Sequence, residues 1–230
     1  MVLKVNKRGF EGHSYIKKFT YDQYLQPYQI DDFLMCLFSN NPHIQVLGSS
    51  DKWGTLGKVQ KVDAEKLALS VTSLDFFDTL KEHDIVRENG DLVKCFDEYY
   101  ENFTVSDELR KCLLMEEFDS YQAFTPEQRR EFIFQLFKAM CLGGRLCQYE
   151  DSVLTYLDVT KKMYKDMTTV VKDPATQSLR VASYVYSVKN VDAAVSPLFP
   201  TNHPQNFCFV SVDPLKRHVN VFYHASDAYY

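Results

Sequence analysis

Hydrophobic positions recur at helical spacing through much of the chain before Met167 and alternate with polar ones after it. The clearest helix begins at Thr125, an N-cap, with Pro126 at the first helical position and Gln128 completing a capping box. Phe132, Ile133, Leu136, Phe137, Met140 and Cys141 then form an apolar stripe, and Gly143-Gly144 supplies the stop. Upstream, Asp31 and Asp32 suit the positive end of a helix over residues 33–38, which Asn40-Asn41-Pro42 ends. That stretch is apolar all round, so it is expected to be buried. Ser73 caps a predicted helix over 74–82 with Phe76, Phe77 and Leu80 as its stripe, and Ser106 caps another over 107–115. A further helix over about 151–167 places Val153, Leu157, Thr160 and Tyr164 on one face.

Strands are expected at residues 2–5, at 43–47 ending on Gly48, and at 67–71 after a polar bend. Residues 85–94 read as a hairpin, because Asn89-Gly90 accepts the positive φ angles of a type I′ turn. Beyond Met167 two hairpins are predicted. Val170-Val171 turns through Asp173-Pro174 into Leu179, Val181, Ser183, Val185 and Ser187, and residues 207–212 turn through Asp213-Pro214 into 219–223. The fold class is α+β: helices, an N-terminal mixed strand region and a C-terminal antiparallel sheet of two hairpins. We expect a single α+β domain over 1–230. A subdomain seam could fall near residue 105, although no linker composition marks it.

Composition narrows the function. With 230 residues, 45% hydrophobic content and only 8 Gly and 8 Pro, the chain has enough apolar material for a packed core. A net charge of −5 argues against nonspecific nucleic-acid binding, which needs a basic surface. The charge is uneven: residues 75–151 carry 18 acids against 9 bases, and the flanking segments are each weakly basic. No apolar run is long enough to span a membrane. The N-terminus has no secretory h-region, Val2 stands where myristoylation needs glycine, and Asp227-Ala228-Tyr229-Tyr230 is no prenylation box. Cys36, Cys95, Cys112, Cys141, Cys147 and Cys208 read as reduced, buried thiols, and the compartment as cytosolic.

Candidate chemistry is sparse. Cys141 and Cys147 are too far apart for a zinc hook. His218 and His224, with Cys208 on a paired strand, could offer a ligand trio, but satisfied sheet histidines fit better, and no metal is assigned. Gly54-Thr55-Leu56-Gly57-Lys58 lacks the hydroxyl that should follow a P-loop lysine, since Val59 stands there. Gly143-Gly144 ends a helix, whereas anion sites use helix starts. A Cys147/His224 pair has no local hydrolase signature, and Glu116 and Glu117 are adjacent and diverge on a helix. No catalytic residue and no cofactor is assigned.

An acidic-aromatic tract stands out instead: Phe96-Asp97-Glu98-Tyr99-Tyr100-Glu101-Asn102-Phe103, then Glu116-Glu117-Phe118-Asp119-Ser120-Tyr121. Aromatics with polar tips anchor interfaces, and carboxylates around them favour basic partners. Tyr99, Tyr100, Phe103, Phe118 and Tyr121 are therefore the candidate partner-binding residues. The competing reading folds these rings inward over neighbouring helices.

Several strings together resemble the cilia- and flagella-associated protein 300 family. They are Asp31-Asp32-Phe33, Asp84-Ile85-Val86-Arg87, Leu92-Val93-Lys94-Cys95, Ser106-Asp107-Glu108-Leu109-Arg110, Cys141-Leu142-Gly143-Gly144, Leu146-Cys147-Gln148-Tyr149-Glu150-Asp151, Tyr164-Lys165-Asp166 and Val212-Asp213-Pro214 with Arg217-His218. The resemblance runs in order over nearly the whole chain. It implies a non-catalytic adaptor for assembly and ciliary transport of outer and inner axonemal dynein arms, found in cytoplasm and in the axoneme of motile cilia and flagella. The implied partners are axonemal dynein chains, kintoun-like PIH-domain assembly factors and the intraflagellar transport machinery, with no nucleic acid and no membrane. A resident axonemal subunit docked on a dynein or microtubule complex is the alternative. Relative to animal members, the chain is expected to lack part of a longer N-terminal segment.

Overall fold

The computed structural model describes residues 10–226, except 102, 145–149 and 176. In chain order the elements are β1 (Ser14–Thr20), α1 (Ile30–Phe38), β2 (Gln45–Leu47), β3 (Trp53–Thr55), β4 (Val59–Lys66), α2 (Thr79–Glu82), β5 (Lys94–Tyr100), β6 (Phe103–Asp107) and α3 (Glu108–Leu114). There follow α4 (Pro126–Arg129), α5 (Phe132–Leu142), α6 (Val153–Met167), β7 (Val170–Lys172), β8 (Leu179–Val181), β9 (Tyr184–Ala193), β10 (Phe207–Asp213) and β11 (His218–His224). The α+β class is as expected. The chain divides into two units, residues 10–67 with 167–226, and residues 68–166. Residue 105 lies inside the second unit, in β6. The strand expected at 2–5 lies outside the described residues.

The first unit is built on a five-stranded antiparallel sheet in the order β1-β11-β10-β9-β4. β10 and β11 are the hairpin expected around Pro214, and their alternation of Val, Phe and Tyr buries both faces. Tyr223 holds the core together. Its ring stacks on Tyr15 at 5.4 Å and on Phe199 at 5.6 Å, its hydroxyl donates to the Leu198 carbonyl at 2.8 Å, and it accepts the Leu47 N–H at 3.1 Å. The other expected hairpin, β7–β8 around Pro174, forms a separate two-stranded sheet. The chain is out of strand at Ala182 and Ser183, where the Ser183 hydroxyl accepts the Thr169 N–H, so β8 and β9 are not one strand.

Three expectations here need correction. Residues 67–71 are not a strand; the strand is β4, Val59–Lys66. Register shifts between Val59 and Lys61 and between Asp63 and Ala64 break its alternation, so its polar sequence hides the period. The α1 helix is one-sided, burying Phe33, Leu34 and Phe38 while Cys36 is exposed. The cysteines are accordingly not all buried: Cys112, Cys141 and Cys208 are, Cys95 is half-buried, and Cys147 lies outside the described residues.

The second unit is helical, around a core of Phe77, Phe124, Phe132, Phe134 and Phe137 from the capped helical stretch and its neighbours. The Thr125 capping box forms as expected, but the helix breaks at Arg130-Glu131 into α4 and α5. Glu131 explains the break. Its carboxylate accepts the backbone N–H groups of Ser70 and Val71 and the Ser70 hydroxyl, while its backbone bridges Ala68. Gly143 ends α5 at φ 56° and ψ −159°, a conformation open in practice only to glycine. Asp107, not Ser106, caps α3, with its carboxylate accepting the Arg110 N–H at 2.9 Å. The predicted 74–82 helix is a 3-10 turn over Leu74–Phe77 followed by α2, with Ser73 capping as expected. Residues 85–94 make a single Val86–Leu92 bridge rather than a ladder. Only Gly90 of the Asn-Gly pair has positive φ, 91°, so the turn is not type I′.

A candidate partner-binding surface

β5 and β6 pair as a two-stranded hairpin whose turn carries Glu101 at φ 52°. A register shift between Lys94 and Glu98 bulges β5 around Phe96, and Tyr99 follows in regular register opposite Thr104. Phe96 is 93% exposed and Tyr99 73% exposed. Tyr99 and Tyr100 point to opposite faces, as adjacent strand residues must, and Tyr100 is half-buried. The Phe103 side chain lies outside the described residues. Asp97 and Glu101 are exposed beside these rings, and Glu98 is half-buried.

Phe118 and Tyr121 are half-buried and differently placed. Phe118 caps the start of the 3-10 turn Asp119–Ala123, after α3, and Tyr121 lies within that turn. The Lys111 ammonium sits 4.6 Å from the Phe118 ring centre, and the Arg129 guanidinium 3.5 Å from that of Tyr121. Arg129 also donates to the carbonyls of Cys112 and Tyr121, and the Tyr121 hydroxyl donates to Glu116 at 3.0 Å. Burial and that carboxylate hold the Tyr121 phenol above its ordinary pKa. The two halves of the tract thus differ. The 116–121 rings are occupied by cations of the same chain, while Phe96 and Tyr99 stand in water. The sequence tract did not reveal Lys111 and Arg129 as partners, because ring stacking across separate elements leaves no local spacing. Phe96 lay in the tract but outside the candidate set; the bulge that exposes it has no sequence signature.

The remaining candidates resolve simply. β11 is extended, so His218 and His224 lie about 20 Å apart and cannot share an ion. Among the described residues no cluster of three His, Cys, Asp or Glu side chains is arranged for a metal. His224 is not a satisfied sheet histidine. It is buried against Phe10 and Phe207, neither ring nitrogen makes a hydrogen bond of good geometry, and burial lowers its pKa to about 3. Its proposed partner Cys147 is outside the described residues. Burial raises the Cys112 thiol to about 11, which suits packing rather than nucleophilic chemistry. Gly57 has φ 75° in a loop leading into β4, and no helix follows it to cradle phosphate.

The comparison with known proteins decides the family. The model of the cilia- and flagella-associated protein 300 family matches residues 3–224. This chain belongs to that family. A relative of the same description in Chlamydomonas reinhardtii is 39% identical over 218 residues, covering 91% of this chain and 85% of the relative. One in Paramecium tetraurelia is 34% identical over 221 residues, covering 94% and 84%. No solved structure matches the chain significantly. The family is associated with cilia and flagella, its members are not named as enzymes, and the match covers both units described above.

Proposed function

We propose that this chain is a non-catalytic adaptor for the assembly and ciliary transport of outer and inner axonemal dynein arms. Family membership supports a ciliary role, and one structural observation supports binding work: Phe96 and Tyr99 stand exposed on a hairpin rich in carboxylates. Exposed rings of that kind carry affinity, and the carboxylates select basic partners. The partners of this reading are axonemal dynein chains, kintoun-like PIH-domain factors and intraflagellar transport. The site of action is the cytoplasm and the motile cilium. Salt extraction tests it against residence in the axoneme. An adaptor is recovered mainly in cytosol and in the soluble ciliary fraction. Retention on salt-washed axonemes in constant ratio to the microtubule doublets would establish a resident subunit instead.

A further inference from the structure

We propose that the outer edge of β5 is a strand-addition site for an extended, lysine- or arginine-bearing segment of a partner protein. This rests on the hairpin itself and stands whether or not the partner is a dynein or one of its assembly factors.

Among the described residues β5 pairs only with β6, so one side of its backbone carries no ladder. Such an edge is a template for another chain. The edge strand β4 shows the usual defences, with Lys61, Asp63, Glu65 and Lys66 along it and two register shifts. β5 has a register shift too, but it presents Phe96 and Tyr99 to water. An added strand would cover these two rings with alternate apolar side chains. Its backbone would supply affinity and the rings selectivity.

Charge identifies the occupant. No ion pair among the described residues engages Asp97, Glu98 or Glu101. The cations nearby are already engaged: Lys94 meets Asp151 at 2.5 Å, Lys111 meets Glu108 at 3.3 Å, and Arg129 is bonded to two carbonyls. The unit as a whole holds 20 acidic against 12 basic side chains over residues 68–166. A second copy pairing through β5 would bring Asp97 and Glu98 of both copies onto one short ladder, where like charges repel. A basic, apolar-alternating segment satisfies the rings and the carboxylates together.

A synthetic peptide of alternating lysine and valine is the probe, titrated into the isotope-labelled full chain at low and at moderate salt. The comparison peptides alternate glutamate and valine, or carry proline in place of the central valine. Binding of the lysine peptide should shift the backbone amides of residues 94–100. The proline peptide should bind at least about tenfold more weakly, because it lacks a ladder donor. The Phe96→Ser/Tyr99→Ser variant should lose at least about tenfold as well; both side chains are in solvent, and unchanged dispersion of the backbone amides of residues 68–166 checks that their unit stays folded. An Asp97→Lys/Glu98→Lys variant should reverse the preference toward the glutamate peptide. Equal binding of the lysine and proline peptides, undiminished binding by the serine variant, shifts mapping away from β5, or no binding at millimolar peptide would each overturn the proposal. Concentration-dependent self-association lost in the serine variant would assign the edge to a second copy and overturn it too.

Discussion

Single residues set the strongest constraints within each unit. Arg110 has no exposed surface; it donates to Asp107 at 2.6 Å, to the Tyr156 hydroxyl at 2.6 Å and to the Cys141 carbonyl at 3.1 Å. Burial works against its charge, but Asp107 and Tyr156 outweigh that and raise its pKa. Arg110→Met would leave the Asp107 carboxylate buried without its partner. We expect a loss of about 3–5 kcal/mol in chemical denaturation, and a loss below about 1 kcal/mol would contradict the network. His224 gives a pH signature. Above about pH 6.5 it is neutral in both states. Below that the unfolded chain takes up a proton that the folded state, with a pKa near 3, refuses. Stability should therefore fall by up to about 1.4 kcal/mol per pH unit on acidification from this residue alone. His224→Leu should flatten the stability curve between about pH 6.5 and 5; parallel curves would contradict the assignment. Gly143→Val should cost about 1 kcal/mol or more, read as a lowered melting temperature, because valine resists that backbone.

At the scale of elements, what could be read from the sequence was local. The Thr125 box, the Asp31-Asp32 start of α1, the Gly143 stop and the Asp-Pro turns are each written in a few adjacent residues, and each is present. What could not be read depends on distant partners. β1 became a strand by pairing along the whole of β11, and β4 by pairing with β9 through two irregularities. The break between α4 and α5 needs Glu131 to capture Ser70 and Val71, some sixty residues away. Glu131→Ala should strand those N–H groups and destabilise the second unit by about 1–3 kcal/mol. Faster hydrogen exchange at Ser70 and Val71 would confirm the latch, and unchanged exchange would refute it. The candidate surface follows the same rule. Tyr99 was legible as an aromatic of the acidic tract, whereas the cation cover on Phe118 and Tyr121 and the exposure of Phe96 came only from the fold.

For the whole molecule, charge and family point to the same kind of work. The acidic unit of residues 68–166 carries the exposed Phe96 and Tyr99, and the unit of residues 10–67 and 167–226 is organised by the five-stranded sheet. In a family associated with cilia and flagella, the adaptor we propose would meet its partners through that acidic hairpin. The most direct test deletes the gene in a cell with motile cilia and counts outer and inner dynein arms in axonemal cross-sections. Both sets of arms should be depleted while the microtubule doublets remain intact, and reintroducing the chain should restore them. A full complement of both arms in the deleted cell would contradict the adaptor role.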